Sequence, residues 1–134
     1  MLVKLAVLAD SANVTADGKL NILGIFDRMS VTGIPVVHPR MDLVLRIEAH
    51  PAERGRLHNL EIRLYDPDGA TVFEVKGDMV PGGPTGEPLA TNQILSLNNL
   101  HLAKECGYNF VVFVNNDLKT EVPLNVEVAV PGSP

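Results

Sequence analysis

Along this chain the apolar positions repeat at two far more often than at three or four, and a period of two confines the chain to strands. Between Asp42 and His50, the residues Leu43, Leu45, Ile47 and Ala49 fall on one side, and Val44, Arg46, Glu48 and His50 on the other. His58 to Leu64 repeats the pattern, with Leu60, Ile62 and Leu64 against Glu61 and Arg63. Thr71 to Met79, Gln93 to Leu102, Gly107 to Val114 and Val122 to Val130 read the same way. Asp66-Pro67-Asp68-Gly69 is a hairpin turn, because Pro fixes φ for a type I turn and Gly accepts the left-handed position after it. Asn115-Asn116-Asp117 opens a second connection. Pro123 has no N–H for a ladder, so its strand is expected to begin at a sheet edge. Helix is confined to single turns, at His38 to Arg40 or His101 to Cys106, since no long window carries an apolar stripe with caps.

The stretch Ala16 to Met29, ADGKLNILGIFDRM, admits a different reading, a glycine loop around a phosphate. Gly18 and Gly24 supply neither the G-x-G-x-x-G nor the G-x-x-x-x-G-K-[ST] spacing that such loops require. Asp17-Gly18 is therefore a turn, and Lys19 to about Val31 one long strand. Gly24 is expected to mark a bulge, or the bend where a strand crosses between sheets. About eight strands, several apolar on both faces, need a second layer, so the predicted fold is all-β: an antiparallel sandwich of two sheets. Gly107-Tyr108-Asn109-Phe110 sharpens this to an immunoglobulin-like architecture, because it resembles the tyrosine corner of those domains. Tyr108 is then expected to be buried with its hydroxyl bonded to nearby backbone.

A wider resemblance rests on Asn13-Val14-Thr15-Ala16-Asp17-Gly18-Lys19-Leu20-Asn21-Ile22-Leu23-Gly24-Ile25-Phe26-Asp27, the Asp66-Pro67-Asp68-Gly69 hairpin, and Gly107-Tyr108-Asn109-Phe110 followed by Val122-Pro123-Leu124. Together these blocks resemble a family of small bacterial single-domain proteins grouped as a domain of unknown function. The resemblance implies one small domain over residues 1–134 and brings no activity, ligand or partner with it.

Composition narrows the function classes. The net charge is −5 and the basic residues are scattered singly (Lys4, Lys19, Arg28, Arg40, Arg46), so neither a nucleic-acid backbone nor an anionic membrane finds a footprint. The opening run MLVKLAVLAD is too short for a signal segment with its processing site, or for a membrane span. Cys106 is the lone cysteine, which leaves no disulfide framework and fits a cytoplasmic protein. Hydrophobic residues make up 46% of the chain but aromatic ones only 4%, so the core must be aliphatic and a sugar-stacking surface is poorly supplied.

No catalytic constellation emerges. Ser11 lacks a nucleophile elbow, and Cys106 beside Glu105 lacks the electropositive setting of a reactive thiolate. His38, His50, His58 and His101 have no metal-ligand spacing. Asp66 and Asp68 are explained by their turn, and Glu61 and Glu74 by outward alternation, so no cofactor or metal is expected. The Pro/Gly-rich connection Pro81 to Pro88 reads as a bridge between sheets. The expected function is a non-enzymatic interaction or structural module that self-associates, with a small-ligand or carbohydrate binder using the end loops as the alternative. The surplus apolar faces around Leu23, Ile25, Val111 and Phe113 mark the expected dimer interface.

Overall fold

The computed structural model describes residues 1–82 and 89–129. Their strands are β1 (Leu2–Val14), β2 (Leu20–Phe26), β3 (Arg28–Val31), β4 (Val36–Glu48), β5 (His58–Tyr65), β6 (Thr71–Met79), β7 (Ala90–Leu102), β8 (Gly107–Val114) and β9 (Asp117–Val128). Four form a sheet in the order β2-β1-β4-β7, and five form a second sheet in the order β3-β9-β8-β5-β6. The fold is thus an all-β sandwich. The ladders are antiparallel except one, for β3 runs parallel to β9.

Alternation builds the core. Met41, Leu43, Leu45 and Ile47 point inward from β4, and Tyr108, Phe110, Val112, Val122, Leu124 and Val126 point inward from β8 and β9. Phe110 is wholly buried at their centre. Each such aliphatic side chain contributes about 1.5 to 3 kcal/mol by leaving water, so the predicted aliphatic core is sufficient without a tryptophan.

The strand order is that of an immunoglobulin-like sandwich, with β1, β4 and β7 in the places of strands A, B and E, and β9, β8, β5 and β6 in those of G, F, C and C′. Tyr108 opens the F-like strand, is 3% exposed, and accepts a hydrogen bond from the Lys104 N–H at 3.1 Å. The tyrosine corner is therefore present. Two residues on, where antibody domains place a disulfide cysteine, Phe110 fills the core instead.

Several expectations need correction. The strand Lys19 to Val31 is two strands in different sheets, and the chain crosses between them at Asp27. Gly24 is neither bulge nor crossing point: the β1–β2 register is the same on both sides of it. Its φ is +72°, and a Cβ there would lie 2.5 Å from Asp10 Oδ2, which is why glycine stands there. Gly18, at φ +84°, does occupy the left-handed turn position. His38 to Arg40 continues β4, and His101 and Leu102 end β7; the one-turn helix lies at Pro51–Glu53, where His50 and Glu53 form a capping box. The last strand starts at Asp117, because Asn115 and Asn116 both take positive φ (51° and 68°) and close a two-residue hairpin. Pro123 is accordingly mid-strand, at a stretch of β9 that β3 does not reach, since their pairing begins at Asn125. Of the expected bridge Pro81 to Pro88, residues 83–88 lie outside the described residues, as does Val130.

Candidate functional site

The outer face of the four-stranded sheet collects apolar side chains that the core does not use. The registers set Val7, Val44 and Ile94 in one row across β1, β4 and β7, and Ile25, Ala9, Asp42 and Ser96 in the next. Beyond these, Leu23 pairs with Ser11. Val44 and Ala9 have no exposed surface, so the patch has a packed floor, while Leu23 and Ile25 stand above it at 72% and 62% exposure. Arg46 bounds one end, its Nη1 donating to Asn92 Oδ1 at 2.9 Å, and Arg40 bounds the other.

Asp42 is the polar feature of this floor and has no exposed surface. β1 peels away from β4 after Ala9, and Asp42 Oδ2 accepts the Ala12 N–H that the ladder would otherwise leave open, at 2.9 Å. Burial works against its charge, but the Ser96 hydroxyl, the Ala12 N–H and Arg40 outweigh it and hold the carboxyl below its ordinary range.

The expected interface residues divide between opposite sides of the sandwich. Leu23 and Ile25 are exposed on the four-stranded sheet, whereas Val111 and Phe113 sit on the outer face of the five-stranded sheet. No single face brings the four together. Val111 is no surplus at all: it is 6% exposed in the chain alone, flanked across the ladder by Arg63 and Glu121. Phe113 is half-buried with the Arg63 guanidinium 5.1 Å from its ring centre. Arg63 is fixed there by Glu61 Oε1 at 2.7 Å and by the Tyr65 hydroxyl, which accepts at 2.9 Å. The Arg63 guanidinium in turn holds the Glu61 carboxyl below its usual range. Alternation found Leu23 and Ile25, but neither Val7 nor Ile94, because an apolar run on both faces does not say which residues remain outside.

The residues weighed for chemistry are occupied structurally. Asp66 accepts the Asp68 and Ala70 N–H groups at 2.9 Å each and pairs with Lys104 Nζ at 2.8 Å, so the turn already holds a cation of its own. That pairing pushes Lys104 up to about 12 and pulls Asp66 below its ordinary range. His58 is buried, with Nδ1 against Asn115 Nδ2 at 2.8 Å and Nε2 against the Glu53 carbonyl at 3.2 Å. Among the described residues, no three His, Cys, Asp or Glu are grouped as a metal site. At the end loops a hollow of about 430 Å³ lies between Asp17, Gly18, Arg46 and Asn92, with no aromatic side chain among the described residues that line it. No helix among the described residues is long and apolar enough to cross a membrane.

No curated protein matches this chain. Among solved structures it is similar to the sensor domain of the anti-sigma factor RsgI4 of Pseudobacteroides cellulosolvens, with a TM-score of 0.43 and 8% identity over 92% of this chain and 96% of that one. A family model matches residues 4–127, nearly the whole sandwich, and by that match the chain belongs to the family of unknown function DUF6941.

Proposed function

We propose that this chain is a non-enzymatic cytoplasmic interaction module that pairs with a second copy of itself through the outer face of the four-stranded sheet. The observation that carries the reading is the exposure of Leu23 and Ile25, at 72% and 62%, beside the apolar floor of Val7, Val44 and Ile94. A two-fold axis lets each copy set its Leu23 and Ile25 on the other's floor, the usual self-complementary arrangement. The area suffices: three strands of 13 residues and one of 7, at about 3.3 Å per residue and about 4.8 Å between strands, present roughly 700 Å² per copy, which lies within the range that specific dimers bury.

Light scattering on a sizing column tests this. The expected mass is twice 14.5 kDa. Ile25→Glu should return it to the single-chain value, and Phe113→Glu, on the opposite sheet, should leave the dimer intact. A single-chain mass for the unmodified protein at about 50 µM overturns the reading.

A further inference from the structure

The sandwich is open along one side, where β6 of one sheet and β7 of the other are both edge strands. Between them runs a hollow of about 490 Å³, lined by Val72, Phe73 and Val75 and by every residue from Leu95 to His101. A second hollow, of about 150 Å³, continues it between Leu60 and Val75 on one side and Gln93 and Leu95 on the other. Consecutive residues of a strand line a groove where the strand's backbone edge faces it, so from Leu95 to Asn98, ahead of Asn99 with its left-handed φ of 54°, the free edge of β7 is one wall.

Three features distinguish this seam from an ordinary sandwich edge. First, β7 runs for 13 residues as ATNQILSLNNLHL without one Asp, Glu, Lys, Arg or Pro, although exposed edges are normally guarded by such residues. Second, Gly77 lies on the inward row of β6, opposite Leu60, with an ordinary φ and nothing within 4 Å of where its Cβ would be. The chain's own packing does not require glycine there, and a strand glycine of this kind suits the close approach of another backbone. Third, among the described residues no Asp, Glu, Lys or Arg lines the larger hollow, and Lys76 alone lines the smaller, so uncharged side chains enter the seam at the least desolvation cost.

We infer that this seam is an acceptor groove for an extended, uncharged segment of a partner polypeptide, which adds to the β7 edge as a strand and places alternate apolar side chains against Phe73 and Val75. A segment of about nine residues is some 30 Å long, and with about 10 Å covered on each of two sides it buries roughly 1,200 Å² counting both partners, within the range of specific complexes. A second copy's β7 suits the groove less well, because its inward side chains, Leu97 and Leu102 among them, are already committed to its own core. The inference concerns the β7 edge and the seam, whereas the self-association above uses the outer face of the same sheet; Ile94 borders both.

The test is a phage-displayed library of peptides about nine residues long, panned on the full chain and counter-selected on Gly77→Val. That variant fills open space at a strand position, so it should fold with an unchanged melting temperature. Selected peptides are expected to alternate uncharged apolar residues, to bind Gly77→Val roughly tenfold more weakly, and to slow amide hydrogen exchange from Leu95 to His101. Absence of any enrichment over the counter-selection overturns the proposal, as does protection falling on Leu20 to Phe26. Protection of the β7 edge in peptide-free protein, arising with a doubled mass, assigns the edge to a second copy and also overturns it.

Discussion

On the five-stranded sheet the outward apolar residues lie among charged neighbours, with Arg63 over Phe113 and Glu61 and Tyr65 holding Arg63 in place. Nothing comparable covers Leu23 and Ile25 on the four-stranded sheet. The edges differ in the same sense. β3 carries Arg28, paired with Glu127, and β6 carries Glu74, Lys76 and Asp78, whereas neither β2 nor β7 has a single Asp, Glu, Lys or Arg. One sheet is finished as a solvent surface by its own side chains, and the other is left with apolar surface and bare backbone. In a chain of net charge −5 this is a matter of placement, since charge itself is plentiful. The difference teaches that the uncovered apolar surface and the uncharged edges belong to one sheet, and both proposals above draw on it.

The comparison breaks most visibly with the same change made on each sheet. Val111→Asp puts a carboxylate at a position already 6% exposed in the single chain, and should destabilise by about 3 kcal/mol or more. Ile25→Asp, at 62% exposure, should alter single-chain stability by no more than about 0.5 kcal/mol while abolishing the dimer. Denaturant titration paired with light scattering reads both. Comparable stability losses in the two variants would mean that the sheets are not finished differently.

Next in size is the corner that ties the sheets together. Tyr108→Phe removes the hydroxyl that accepts the Lys104 N–H and should cost about 1 to 3 kcal/mol, without changing the mass of the assembly. Burial also raises the Tyr108 phenol above its ordinary value, as expected of a hydroxyl held in the core. A neutral substitution would show the corner hydrogen bond to be dispensable.

Sequence alternation was a reliable guide where each strand had one apolar face. β5 and β6 lie within a residue of their expected ends, and the Asp66 turn and the left-handed Gly18 are where their residue chemistry puts them. It was less reliable where both faces were apolar. Leu20 to Phe26 and Arg28 to Val31 read as one strand because Asp27, the crossing point, is one polar residue in an apolar run. Val111 read as exposed because its cover comes from flanking Arg63 and Glu121, residues 48 and 10 positions away in sequence. The acceptor seam lay beyond local pattern altogether, since it depends on which strands end up unpaired at the edges.

The smallest effect concerns acid. Asp42 and Glu61 are both held below their ordinary pKa, Asp42 chiefly by hydrogen bonds that outweigh its burial, Glu61 chiefly by the Arg63 guanidinium. A carboxyl depressed in the folded state adds stability above its unfolded pKa, near 4, and that stability is lost as pH falls through the lower, folded value. Both therefore steepen acid unfolding below about pH 4, but they differ in salt response. Glu61 pairs with the partly exposed Arg63 and with Lys76, charges that added salt screens, whereas Asp42 depends mainly on the Ser96 hydroxyl and the Ala12 N–H inside the sheet, with the Arg40 ion pair at 3.4 Å a smaller contribution. Glu61→Gln should accordingly flatten the acid limb in low salt and have little further effect in about 0.5 M salt. Asp42→Asn keeps an oxygen for the Ala12 N–H and should flatten the limb at both salt levels, losing in salt only the smaller part that Arg40 supplies. Melting temperature measured from pH 5 down to about pH 2.5 at two ionic strengths separates them. Equal salt sensitivity of the two variants would mean that Asp42 is held by exposed charge like Glu61, and that the two sheets do not differ in this respect.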